Sequence, residues 1–174
     1  MQELIREYYT LEDGTKVPKI GFGCYNPRKQ DYVTIIKTAI DAGYRYFDTA
    51  SLYETERDLA RALKESGIDR KEVQIASKAW YDELGYEETK AAFNRTLERL
   101  ETDYLDFYML HWPKASEDDP DWKEKDRGAW KALTVLWNWI SWSCISAIRR
   151  SWQENTARNR GSWYRHGVRW AEAG

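Results

Sequence analysis

The chain has 174 residues, 42% of them hydrophobic, which is enough for one domain with a packed core. A formal net charge of −2 provides no overall attraction to nucleic acid or to an anionic membrane. Two cysteines, Cys24 and Cys144, form no metal-binding or redox spacing, so we expect a reducing, cytoplasmic setting.

The first elements predicted along the chain are a β-hairpin, a short strand and a helix. The hairpin turns at Asp13-Gly14, a dipeptide that accepts positive φ angles. KIGFGCY, residues 19–25, predicts a short strand with a glycine-rich exit. Apolar residues at helical spacing then predict a helix over residues 31–44, which Gly43 ends.

Strands and helices continue to alternate as far as residue 133. Strands are predicted at 44–50, 72–80 and 104–113, and helices at 55–68, 86–103 and from 126 onward. Each unit spans about 30 residues, the length of a right-handed βαβ crossover. The order predicts an α/β fold with a parallel sheet, either doubly wound or closed into a barrel.

Ionisable side chains stand at the carboxyl ends of three predicted strands. They are Asp48, Lys78 and His111, with Tyr53 in the loop after the first of these strands. Singly, Asp48 is explained as a turn or cap residue, Tyr53 as a packing residue and His111 as a core histidine. Lys78 needs a partner if it is buried. Because loops at the carboxyl ends of strands form the active sites of α/β folds, the joint pattern predicts one shared pocket.

Together these four side chains predict a proton-delivery site. A nearby Lys78 would favour the phenolate of Tyr53 and lower its pKa from the ordinary value of about 10. Asp48 would keep Lys78 charged, and His111 would hold a carbonyl oxygen beside the phenol. The set contains no metal cluster and no nucleophile with its base. It suits protonation of an oxygen while hydride arrives from elsewhere.

Four stretches of this sequence resemble the aldo-keto reductase family, in order and over about residues 8–133. They are KIGFGCY, DAGYRYFDTASLYETE, IASKAW and YLDFYMLHWP. The resemblance implies a (β/α)8 barrel and NADPH-dependent reduction of a small aldehyde, ketone or sugar carbonyl. It also implies a catalytic tetrad of Asp48, Tyr53, Lys78 and His111.

The same resemblance implies two further groups of binding residues and no metal. The residues implied in cofactor binding are Gly21, Phe22, Gly23 and Asp48; those implied in substrate binding are Tyr25, Trp80, His111 and Trp112. No G-x-G-x-x-G opens a helix, so a Rossmann dinucleotide site is not predicted.

The chain changes character near residue 133. Residues 1–132 carry a net charge of −6, whereas residues 133–174 carry +4, no lysine and six of the ten tryptophans. We divide the chain into a partial barrel, 1–132, and a Trp/Arg/Ser-rich tail, 133–174, with a helix from about Arg127 to near Ile148. A shifted reading frame explains the tail best. The alternatives are an appendage that binds nucleic acid or a membrane, and a segment that covers the open half-barrel.

The predicted fold is therefore a hairpin and four βα units of an incomplete TIM-type barrel. Such a barrel needs about 250 residues, and the resemblance places most contacts to the NADPH phosphates in its second half. We expect the chain alone to reduce carbonyls with NADPH no faster than a Tyr53→Phe variant. The alternative function is an inactive half-barrel that associates with itself or a partner through its open sheet edges. We expect a small carbonyl substrate, and no nucleic-acid or membrane partner.

Overall fold

The computed structural model describes residues 5, 7–11, 14–26, 30–113, 119–136 and 140. Within them, short strands alternate with helices: β1 Tyr8–Thr10, β2 Lys16–Pro18, β3 Phe22–Gly23, α1 Tyr32–Asp41, β4 Tyr46–Asp48, α2 Glu56–Ser66, β5 Gln74–Ala79, α3 Tyr86–Leu100, β6 Phe107–Leu110 and α4 Trp122–Leu136. Apart from 133–136 and 140, the tail predicted at 133–174 lies outside the described residues.

The strands form the two sheets that the sequence predicts. β1 and β2 pair antiparallel as a hairpin, while β3, β4, β5 and β6 form a parallel sheet in chain order. Gln74 at the amino end of β5 donates its side-chain amide to the carbonyl of Lys16, 2.8 Å away. The hairpin therefore lies at the amino end of the sheet, which leaves the carboxyl end open for a site.

Local signals in the sequence account for the helix ends. The side chain of Asp31 accepts a hydrogen bond from the backbone amide of Thr34 and caps α1. Gly67 ends α2 at φ +69°, a left-handed conformation in which a side chain would be strained. The predicted helices are thus confirmed, with ends shifted by a few residues.

The core lies between one face of the parallel sheet and the helices. Phe47, Ile75 and Tyr108 are buried on this face, and Phe93 of α3 meets the Tyr108 ring edge-on at 4.9 Å. Because side chains alternate along a strand, the neighbouring residues point to the opposite face. There Tyr46 and Phe107 pack edge-to-face, with their ring centroids 5.7 Å apart.

The last helix differs from its prediction at both ends. It begins at Trp122, four residues before the predicted start at 126, and is described as far as Leu136. Ile140 does not continue it, since this residue forms a parallel bridge with Leu105 and is buried. The predicted helix from about Arg127 to near Ile148 is therefore wrong at Ile140, because backbone pairing beside β6 and burial of this side chain favour an extended residue. No helix among the described residues is long and apolar enough to cross a membrane.

Candidate active site

Three of the four predicted site residues lie on the same face of the sheet. Asp48 is the last residue of β4, Lys78 is the penultimate residue of β5, and His111 directly follows β6. Asp48 pairs in register with Ala76, two residues before Lys78, and Lys78 pairs with Met109, two residues before His111. The two-residue period of a strand therefore carries all three side chains to the face opposite the helices.

Lys78 is held by two acceptors. Its ammonium contacts the carboxylate of Asp48 and donates to the backbone carbonyl of Thr49 at 2.9 Å. The Lys78 side chain is only 13% exposed, whereas that of Asp48 is 41% exposed. The ammonium is thus fixed in position below a carboxylate that is still open to a ligand.

Tyr53 completes the cluster from the loop after β4. It ends a short 3-10 turn, Ser51–Tyr53, and its hydroxyl lies 3.2 Å from Nε2 of His111. The ammonium of Lys78 lies 5.3 Å from the centroid of the phenol ring. The four residues that were separate in sequence therefore meet in one group.

The electrostatics of Tyr53 correct one prediction. Burial, followed by the nearby Asp48 carboxylate, raises the pKa of Tyr53 above its ordinary value of 10. This direction is opposite to the sequence-based prediction that Lys78 lowers the pKa of Tyr53. The physical reason for the difference is that Lys78 is paired with Asp48, so the pair presents little net positive charge to the phenol. Tyr53 is therefore a protonated hydrogen-bond donor near neutral pH.

His111 is neutral in this environment. Burial lowers its pKa below 6.5, and the charge of Lys78 lowers it further, while Asp48 opposes the shift. Among the described residues, its Nδ1 is buried without a hydrogen-bond partner. Its Nε2 is the ring nitrogen that faces Tyr53. A neutral imidazole can hydrogen-bond the same ligand atom as the Tyr53 hydroxyl. Because it carries no positive charge, it does not repel the ammonium of Lys78.

The aromatic residues predicted for substrate binding lie next to this polar group. The Trp80 ring lies 4.8 Å from that of His111, and the exposed Trp112 lies 6.0 Å from it. Tyr25, which is 60% exposed, packs 5.1 Å from the Tyr53 ring. The arrangement places aromatic rings next to a polar centre, a combination typical of small-molecule sites.

The three residues predicted for cofactor binding after β2 differ in their surroundings. A Cβ on Gly21 would lie 2.2 Å from a ring carbon of Tyr46, so this glycine is required by packing. Phe22 packs against the rings of Phe47 and Tyr44 in the core. A Cβ on Gly23 would meet no atom within 4 Å. Of the three, Gly23 leaves the most open space beside the site.

Sequence reasoning missed Glu83 and Ser51. The Glu83 carboxylate accepts hydrogen bonds from the Ser51 hydroxyl at 2.5 Å, the Trp80 backbone amide at 3.0 Å and the Arg95 guanidinium at 2.9 Å. No spacing rule links residues 32 positions apart in two different loops. A glutamate three residues after the start of a turn was the only local signal, and it indicates a cap.

For metal binding, no group of three or more His, Cys, Asp or Glu that could hold an ion occurs among the described residues.

Known proteins are similar to this chain in sequence. A sequence model described as the aldo/keto reductase family matches residues 19–140. A glyoxal reductase of Bacillus subtilis is 38% identical over 138 residues, which are 79% of this chain and 47% of that protein. A glycerol 2-dehydrogenase (NADP(+)) of Saccharomyces cerevisiae is 30% identical over 150 residues, which are 82% of this chain and 47% of that protein.

Solved structures agree with these relatives in fold. The crystal structure of an aldo/keto reductase from Brucella melitensis superposes with a TM-score of 0.68 at 33% identity, covering 77% of this chain and 50% of that one. This chain spans about half the length of the relatives and structures that it matches. The family match over residues 19–140, together with the fold and the relatives, shows that the chain belongs to the aldo/keto reductase family.

Proposed function

We propose that this chain reduces the carbonyl group of small aldehydes or ketones with NADPH, and that Tyr53 delivers the proton. The observation that carries the proposal is the meeting of the Tyr53 hydroxyl with Nε2 of His111 at 3.2 Å, above the Lys78–Asp48 pair. Two donors converging on one point can hold one carbonyl oxygen between them.

In the proposed reaction the chain's own residues act on that oxygen. His111, as its Nε2–H tautomer, and Tyr53 donate hydrogen bonds to the carbonyl oxygen and orient it. As the carbonyl carbon gains hydride, the oxygen becomes an alkoxide, a stronger base than a phenolate. Tyr53 then transfers its proton even though its pKa is raised. Solvent then returns a proton to Tyr53, which the raised pKa of the phenol favours, while Lys78 is held in the site by Asp48.

The described residues fit the reactive end of the proposed cofactor. Gly23 leaves open space next to the site, and Asp48 presents an exposed carboxylate that can accept a ribose hydroxyl. NADPH would supply the hydride. The yeast relative is a glycerol 2-dehydrogenase (NADP(+)), which supports this choice of cofactor. The name of the Bacillus subtilis relative supports glyoxal as a first substrate to test.

Loss of NADPH absorbance tests the proposal. With the full chain and glyoxal or a small aldehyde panel, we expect turnover that Tyr53→Phe lowers on the order of 10²- to 10⁴-fold, the usual contribution of a general acid. The sequence analysis expected no such turnover, because a half-barrel lacks most phosphate contacts. Equal rates for the wild type and Tyr53→Phe at millimolar NADPH would contradict the proposal and support that earlier expectation.

A second candidate function is association between copies of this chain. It is favoured by the described parallel sheet, whose four strands leave β3 and β6 as edges. A closed barrel of this type has eight strands, so a second copy supplies the number that is needed. Sheet edges of this kind promote pairing with another chain.

For the location of the protein, we propose the cytoplasm, a compartment in which a free buried thiol such as Cys24 stays reduced.

A further inference from the structure

Glu83 connects the loop after β5, which follows Trp80, with the loop after β4, which carries Tyr53. It ends the 3-10 turn Tyr81–Glu83 after β5, and its side chain reaches Ser51 in the turn after β4. The same carboxylate oxygen accepts the backbone amide of Trp80, whose ring packs on His111. One side chain therefore fixes the separation of two loops that no described strand pairing joins at this point.

The carboxylate is well held. It is 17% exposed, and its second oxygen pairs with the guanidinium of Arg95 on α3 at 2.9 Å. Burial by itself would raise the pKa of Glu83, but hydrogen bonds from Ser51, the Trp80 amide and Arg95 outweigh burial and lower it. Glu83 is thus ionised near neutral pH, and its bonds are charge-assisted.

The contact with Ser51 acts close to Tyr53. Ser51 begins the turn that Tyr53 ends, and the Tyr53 amide donates to the Ala50 carbonyl at 3.0 Å. Glu54 follows in a left-handed conformation at φ +58°. A turn of three residues transmits a shift at its first residue to its last. The position of the Tyr53 hydroxyl relative to His111 therefore depends on the Ser51 bond.

We propose that Glu83 is a positioning residue that holds Tyr53 against His111 through the hydroxyl of Ser51. This inference rests on the proposed function for its significance, but the placement of Tyr53 can be measured without turnover. The competing explanation is that Glu83 only caps its own turn. Glu72 offers a matched control, since it ends the 3-10 turn Arg70–Glu72 and accepts from the Asp69 amide in the same way, at the opposite end of β5.

The test places 3-fluorotyrosine at position 53 and records its ¹⁹F spectrum in the purified full chain. We expect Ser51→Ala and Glu83→Ala each to shift and broaden the resonance, and the double variant to shift it no more than the larger single change. Ser51→Thr, which keeps the hydroxyl, and Glu72→Ala are expected to leave it in place.

An unchanged resonance in Glu83→Ala, or additive shifts in the double variant, would overturn the inference. In the NADPH assay, the same two single variants are expected to lower kcat on the order of tenfold or more, with little change in KM. If turnover is absent in all proteins while the resonance still moves as expected, then the proposed function fails and the positioning role stands. Circular dichroism of each variant shows whether it is folded.

Discussion

His111 is the residue of this site whose charge state responds to pH near neutrality. Its pKa is lowered by burial and by Lys78, so the folded protein binds a proton there less readily than the unfolded chain. The resulting stability is present above the unfolded value of 6.5 and decreases as the pH falls towards the folded pKa.

We therefore expect the wild type to lose more stability than His111→Gln between pH 7.5 and pH 5.5. Urea midpoints at the two pH values measure this difference. The second histidine, His166, is present in both proteins and its contribution cancels. An equal loss in both proteins would show that His111 is not the group that titrates.

The ion pair of Lys78 and Asp48 positions charged groups in the site but does not lower the pKa of Tyr53. A lysine at a strand end within reach of a carboxylate is stabilised in its charged form. The same carboxylate disfavours a phenolate nearby, and the pKa of Tyr53 rises. The donor at position 53 is thus protonated near neutral pH, and the Lys78–Asp48 pair orders the site without lowering the pKa of Tyr53.

The close packing of helix α4 on the start of α3 depends on a glycine, Gly128. A Cβ on Gly128 would lie 2.8 Å from the backbone nitrogen of Tyr86, at the start of α3. Helix propensity alone favours alanine over glycine by about 1 kcal/mol. Packing reverses that preference, because a backbone atom cannot move aside as a flexible side chain can.

We expect Gly128→Ala to lower the free energy of unfolding by about 1–3 kcal/mol, the usual cost of overpacking. Denaturant titration at neutral pH measures it. Val135→Ala, at an exposed position of the same helix, is the control and should not destabilise the protein. A Gly128→Ala protein as stable as the wild type would show that α4 can move away from α3 without loss.

At the largest scale, the parallel sheet of the described residues has two edges, whereas a complete barrel of eight strands is closed. Within the described residues, the outer edge of β3 has no strand partner, and next to β6 only the Leu105–Ile140 bridge is formed. Backbone groups at such edges gain hydrogen bonds by pairing with another chain.

We expect sedimentation velocity to show a dimer fraction that grows with protein concentration. Association through backbone pairing should persist at high salt, whereas contacts between charged surfaces would weaken. Tyr53→Phe should associate like the wild type, because this residue lies in the pocket and not at an edge. A monomer at every concentration would leave carbonyl reduction as the function without this second role.

The sequence alone determined the order of the elements and the residues at their ends. Periodicity of 3.6 or 2.0 and the capping residues Asp31 and Gly67 are local, so they can be recognised one segment at a time. The strand ends at Asp48, Lys78 and His111 follow from the same patterns, and the parallel order then predicts that these residues meet.

How those residues act on each other depends on contacts between distant segments of the chain. The bond from Ser51 to Glu83 joins positions 32 apart, and the close packing of α4 on α3 depends on the absence of a side chain at Gly128. The direction of the Tyr53 pKa depends on burial and on which charge lies nearer. Each of these properties depends on neighbours from several segments of the chain. A local sequence pattern does not give the distances between those segments.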